Sequence, residues 1–137
     1  MKMLSLLCAL VLAPILTSCG EPAAPGTAAT GAPKNITVNE AEKLIKDDPK
    51  VVVLDVRTPD EFSAGHIKGA KNIDFNGNDF EKQIEGLDKS KTYIVHCAAG
   101  GRSAQACKII EQVKLPSVFH MNEGFKAWES AGKPVDK

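Results

Sequence analysis

The segment richest in chemistry is Tyr93-Ile94-Val95-His96-Cys97-Ala98-Ala99-Gly100-Gly101-Arg102-Ser103. A thiol follows an apolar run, small residues follow the thiol, and an arginine then opens a helical pattern. Ala98, Ala99, Gly100 and Gly101 have almost no side chains, so their N–H groups can turn toward one point. A helix beginning near Arg102 or Ser103 adds further unpaired N–H groups and the positive end of its dipole. Such surroundings lower a thiol pKa well below ~8.5 and leave it nucleophilic at neutral pH. A persulfide formed on Cys97 would be held by the same donors. A cysteine that merely ends a strand is as well read as an inert apolar residue. Strand, loop and helix start together favour chemistry.

The elements that must position this thiol follow from periodicity. Asn39 with Glu42 reads as a capping box, and Ala41, Leu44 and Ile45 continue a helix to about Asp47. Val51-Val52-Val53-Leu54 is a continuous apolar run, the pattern of a strand covered on both faces. Asp55 to Gly69 is polar and reads as loop, with room for one helical turn. Ala70 to Ile73 suits a short strand, and Asp79 to Leu87 carries Phe80, Ile84 and Leu87 at helical spacing. Tyr93 to Val95 is a second buried strand that runs into Cys97. Ser103 to Val113 is helical, Ser117 to His120 suits a last strand, and Glu123 to Ser130 a last helix containing Trp128. Strands alternating with helices imply an α/β fold whose parallel strands are joined by crossovers. Sites in such open sheets form beyond the carboxyl ends of the strands, where Cys97 lies.

The chain has 137 residues, enough for one domain. Its 17 basic and 17 acidic residues balance, which leaves no electrostatic footprint for nucleic acid. Residues 1–18 combine Lys2, an apolar run from Leu4 to Leu16 and small residues before Cys19. The run is too short to span a bilayer, which takes roughly 20 apolar residues, and reads as an export signal. Leu16-Thr17-Ser18-Cys19 resembles the lipobox of bacterial lipoproteins, which implies cleavage before Cys19 and lipidation of that residue. Residues 19–34 then read as a flexible tether, because Gly, Pro, Ala and Thr bury too little to offset their ordering entropy. Residues 35–137 form the folded domain. The expected location is the cell envelope, lipid-anchored and facing the periplasm or exterior. Of four cysteines, only Cys97 and Cys107 belong to that domain.

The resemblance to a family extends well beyond the cysteine loop. Asp55-Val-Arg57-Thr-Pro-Asp-Glu61-Phe62, Gly65-His66-Ile67-Lys-Gly69-Ala70-Lys-Asn72-Ile73 and Asn122-Glu-Gly124-Phe125-Lys-Ala-Trp128-Glu-Ser-Ala-Gly132-Lys-Pro134-Val135 resemble, in order, the amino- and carboxy-terminal signatures of rhodanese domains. Cys97, four residues and Arg102 resemble the active-site loop of that family. The resemblance implies a central parallel sheet flanked by helices. It also implies a sulfurtransferase that takes sulfane sulfur from a donor such as thiosulfate or a persulfide, stores it on catalytic Cys97 and passes it to a thiol or cyanide. Ala98, Ala99, Gly100, Gly101, Arg102 and Ser103 would bind substrate, with Arg102 orienting the loop or donor. No metal or organic cofactor is implied. A partner protein as sulfur acceptor, or a carrier that holds a persulfide with little turnover, fits the same residues. His96-Cys97 and Arg102-Ser103 also resemble the cysteine phosphatase signature, but one residue fewer makes a smaller cradle. Rhodaneses active on thiosulfate often carry Lys or Arg within the loop. This chain has only Ala and Gly there, which predicts weak use of thiosulfate.

The remaining polar residues have structural readings. Asp55 ends a strand on the side of the site and stands behind the cradle with Arg57. Arg57 and Glu61 are expected to pair and brace their loop. His66 is expected to bond backbone, and strand alternation turns His96 away from Cys97. His120, at a strand end, suits a hydrogen-bonded structural role. Phe125 and Trp128 read as core. Ala104, Cys107 and Ile110 are spaced to face inward, with Cys107 inert.

Overall fold

Two apolar runs make the middle of the sheet because side chains on both of their faces need cover. They are β2 (Val51–Asp55) and β5 (Thr92–His96), which pair parallel with Leu54 opposite Val95 and Asp55 opposite His96. The computed structural model describes residues 32–137. The residues read as signal, Cys19 and the expected tether as far as residue 31 lie outside the described residues. β5 is flanked by β6 (Val118–Met121), and β6 by β1 (Lys34–Ile36). β4 (Lys71–Asn72) covers the other side of β2, giving one five-stranded parallel sheet in the order β1-β6-β5-β2-β4.

Alternation along the strands divides the core. Leu54, Tyr93 and Val95 face α3 (Phe80–Glu85) and α4 (Gly101–Val113), where Phe80, Ile84, Ala106 and Ile110 are buried. Val53 and Ile94 face the opposite layer with α1 (Val38–Asp47) and α5 (Gly124–Ser130), which bury Ala41, Phe125 and Trp128. Cys97 continues the alternation of β5 and falls on the α4 side.

Several boundaries differ from the sequence reading. The first helix is capped by Thr37, whose hydroxyl accepts from Glu40 N while the Glu40 carboxylate accepts from Thr37 N, so Asn39 and Glu42 are not its capping box. The segment read as loop after Asp55 contains α2 (Pro59–Ala64), capped reciprocally by Thr58 and Glu61, with a proline in its first turn that needs no donor. It then enters β3 (His66–Ile67), which pairs antiparallel with β7 (Val135–Asp136) in a small second sheet. Two-residue strands are too short to carry a period, and β1 has only three residues. Ala104 is exposed, and the inward face of α4 is Ser103, Ala106, Cys107 and Ile110.

Ile110 lies fully buried between α4 and the sheet. Ile110→Ala removes that burial and leaves a void. It is expected to destabilise the domain by about 2–5 kcal/mol, read as a lowered urea midpoint.

Candidate active site

The loop from Cys97 to Gly100 is shaped from behind. α5 starts beneath it, and its first free N–H groups bond the loop: Phe125 N donates to Cys97 O at 2.8 Å and Lys126 N to Ala98 O at 3.1 Å. This contact needs a bare backbone. A Cβ on Gly124, at φ +74°, would lie 2.5 Å from Ala98 O, and one on Gly100, at φ +93°, would lie 2.3 Å from Asn122 O. Both positions are thus closed to side chains on two grounds, left-handed backbone and space. With its carbonyls turned back, the loop presents N–H groups to the sulfur.

Cys97 is only 2% exposed. Gly100 N donates to its Sγ at 3.1 Å, and the Ser103 hydroxyl lies 3.4 Å away. Burial pushes the thiol pKa up, but hydrogen bonds from the Ser103 hydroxyl and from the N–H groups of Ser103, Ala99 and Gly100 outweigh it, so the thiol ionises below its ordinary value. The second thiol behaves oppositely. Burial pushes Cys107 up to about 12, with the nearby Cys97 adding to the effect. The two buried thiols therefore shift in opposite directions because only Cys97 meets converging donors.

Arg102 stands at the end of the loop. Its guanidinium makes a two-pronged pair with Glu61, at 2.6 and 2.8 Å, at the partly exposed edge of the loop. The same carboxylate caps α2 through Thr58, and the Arg102 pair holds its pKa down at about 2. The expected pairing of Arg57 with Glu61 is therefore corrected. Arg57 instead grips buried Asp55, with Nη2 to Oδ2 at 2.6 Å, and donates to Gly65 O at 2.7 Å. The reason is local geometry: Asp55 Oδ1 also accepts from Arg57 N, which folds the guanidinium back onto the strand end. Arg57 then stacks on the Phe125 ring, 4.1 Å from Cζ to the ring centre. Arg57 reaches the cradle through Phe125, whose N–H holds Cys97 O, and Asp55 also through His96, whose Nε2 lies 3.9 Å from Asp55 Oδ2 and whose Nδ1 lies 3.1 Å from Cys97 O.

His96 turns away from the sulfur, and its Nδ1 sits 3.1 Å from Cys97 O. His66 Nδ1 meets Phe62 O at 3.0 Å, while its ring stacks on Phe62 at 3.8 Å. Trp128 is buried and donates to Pro134 O at 2.9 Å. His120 is hydrogen-bonded at both ring nitrogens, in line with the role expected of it. Its Nε2 lies 2.8 Å from Ser103 Oγ and its Nδ1 2.9 Å from Asn35 Oδ1. Asn35 went unnoticed because its place depends on the β1–β6 register, which sets it opposite His120. The parallel position of two strands 85 residues apart leaves no local signal. Glu61 as the partner of Arg102 was likewise missed, since that pair joins residues 41 apart.

A parallel sheet covered on both faces, with a thiol cradled between strand end and helix start, defines the class of protein. The family model described as Rhodanese-like domain matches residues 37–131, and the chain belongs to that family. Among its relatives, a chloroplastic thiosulfate sulfurtransferase of Arabidopsis thaliana is 32% identical over 75% of this chain and 92% of its own. A thiosulfate sulfurtransferase of Pseudoalteromonas translucida is 31% identical over 72% of this chain and 90% of its own. The crystal structure of a rhodanese-related protein from Thermoplasma volcanium superposes with TM-score 0.66 at 32% identity, covering 75% of this chain and 97% of that one. These relatives place the chain in a sulfurtransferase family.

Alkylation of the native protein across a pH series, read peptide by peptide, checks the contrast between the thiols. Cys97 reactivity is expected to rise through a midpoint below the ~8.5 of a free thiol. Cys107 is expected to stay unmodified until the protein is unfolded.

Proposed function

We propose that the protein is a sulfurtransferase that works through a persulfide on Cys97. The observation that carries this reading is the convergence of Gly100 N–H and the Ser103 hydroxyl on Sγ, within a loop whose Cys97, Ala98 and Gly100 carbonyls are bonded elsewhere. The Cys97 thiolate attacks the sulfane sulfur of a donor and forms an S–S bond. The donor's own bond to that sulfur breaks, and its remainder leaves with the electron pair, as sulfite when the donor is thiosulfate. A thiolate or cyanide then attacks the outer sulfur, and Cys97 departs as thiolate. The N–H groups that stabilise the resting thiolate also stabilise it as leaving group.

The charge pattern argues for a persulfide or another weakly charged sulfane donor over thiosulfate. The loop has no cationic side chain between Cys97 and Arg102, and Glu61 neutralises Arg102 itself. A doubly charged donor meets main-chain dipoles and little else. Two relatives are named for thiosulfate, and the proposed preference rests on this chain's own loop. We also place the enzyme at the cell envelope, held by lipid on Cys19, on the strength of the signal pattern that precedes it.

Thiocyanate formation from thiosulfate and cyanide tests the activity. Cys97→Ser is expected to abolish it together with the added sulfur seen by mass spectrometry. A persulfide without turnover would identify a carrier instead. The wild-type KM for thiosulfate is expected to be high, and Glu61→Gln is expected to lower it several-fold by releasing Arg102. A low wild-type KM would overturn the donor preference.

For the anchor, Cys19→Ser is expected to move the protein from the membrane to the soluble fraction after cell fractionation. Unchanged partitioning would rule out lipid attachment there.

A further inference from the structure

We infer that Ser103, His120 and Asn35 form a proton relay that takes the proton of Cys97 away from the sulfur and holds it on His120. The inference deepens the sulfurtransferase reading and rests on it in taking Cys97 as the working thiol.

The relay is a continuous line of polar atoms from the buried thiol to the edge strand β1, where Asn35 is exposed. Ser103 Oγ lies 3.4 Å from Cys97 Sγ and 2.8 Å from His120 Nε2, and His120 Nδ1 lies 2.9 Å from Asn35 Oδ1. A carbonyl oxygen only accepts, so Asn35 fixes the His120 proton on Nδ1 and leaves Nε2 with a lone pair. That lone pair is the closest acceptor for the Ser103 hydroxyl, nearer than Gly100 O at 3.1 Å. Burial holds the His120 pKa below its ordinary value, so the ring rests neutral, and the proton stays on it only where the thiolate across Ser103 compensates the imidazolium charge.

Both ends of the transfer are then fully bonded. Before it, Cys97 S–H donates to Ser103 Oγ and Ser103 O–H donates to His120 Nε2. In the transfer the S–H bond breaks as an O–H bond forms on Ser103, and the original Ser103 O–H bond breaks as an N–H bond forms at Nε2. Afterwards the imidazolium donates Nε2–H to Ser103 Oγ, whose new proton points at the thiolate. Ser103 ends as it began, and no proton or electron is lost. The step back delivers the proton to Cys97.

The groups around His120 suit this role. Its strand neighbours are Asn35 on β1 and Val95 on β5, neither of them charged. The end of the relay lines a cleft of about 490 Å³, where His120 and Asn35 are joined by Asn122 and, from α4, by Cys107, Lys108 and Glu111. Cys97 does not line that cleft. Lys108 and Glu111 carry opposite charges there, so their effects on His120 oppose each other, and Cys107 stays protonated at neutral pH. Ser103 touches the reacting sulfur, whereas His120 and Asn35 act through it and are positioning residues.

The test reads Cys97 ionisation directly, as the pH profile of its alkylation in the full-length protein, with circular dichroism to establish folding. His120→Gln keeps a polar side chain but cannot take a proton, and is expected to move the profile to higher pH. The rate at pH 7 should fall on the order of threefold to tenfold. Asn35→Asp places a carboxylate beside the imidazolium and is expected to move the profile to lower pH, an effect that loss of structure does not produce. Adding Ser103→Ala to Asn35→Asp is expected to erase that downward shift. A folded His120→Gln protein with the wild-type profile would overturn the relay. So would Asn35→Asp without a downward shift, or one that survives Ser103→Ala; if His120→Gln does not fold, these two results decide. Mass spectrometry for a sulfur atom added to Cys97 is run on the same samples. Its failure with the pH shifts intact would overturn the sulfurtransferase reading and leave the relay standing.

Discussion

The site depends on how one short loop divides its polar groups. Each residue from Cys97 to Gly100 brings a donor and an acceptor, and the loop runs from buried Cys97 to exposed Ala99. Helix α5 takes the carbonyls of Cys97 and Ala98, and Ser103 Oγ stands 3.1 Å from that of Gly100. The donors are left for sulfur. Were the carbonyls to face Cys97 instead, burial alone would rule and the thiol would behave as Cys107 does. Gly100 and Gly124 are required for that arrangement because they let two stretches of main chain come closer than any side chain permits.

Around this centre the charged side chains cancel in pairs. Asp55 neutralises Arg57 beneath the strand end, and Glu61 neutralises Arg102 at the loop edge. The field at the sulfur is therefore made by dipoles and by one hydroxyl, which are short-ranged and fixed in direction. Such a field favours a thiolate over a large anion, since a thiolate sits at the focus and a bulky anion does not. Asp55 and Arg57 serve the same end indirectly. By holding Phe125 they fix the N–H that pulls Cys97 O away from the site.

The sheet was legible because its two central strands are long apolar runs and its larger helices keep their period. Cys97 was legible for a related reason, as the residue where an apolar strand meets a bare loop. The ends of the fold were harder to read. β1, β3 and β7 have two or three residues each, and pairing with distant segments, not composition, makes them strands. The partners of Arg57, Arg102 and His120 were hidden by the same physics. Spacing of four suggested Arg57 with Glu61, yet a backbone bond to Asp55 redirected the arginine, and Glu61 was claimed by a residue 41 positions away. Contacts set by register across a sheet cannot be read from local periodicity.

The close seat of the loop on α5 also limits how this site can diversify. A larger ring of main chain, roomy enough for a bulkier reacting group, would need an inserted residue. That insertion would either lift Ala98 off Lys126 N or drive Gly100 into Asn122, where space is already used up. Changes that widen the cradle must therefore begin in the segment around Asn122 and Gly124, some twenty-five residues downstream of the sulfur. The size of what this centre accommodates is thus governed by the wall at its back, a constraint that substitutions at the entrance alone would not relieve.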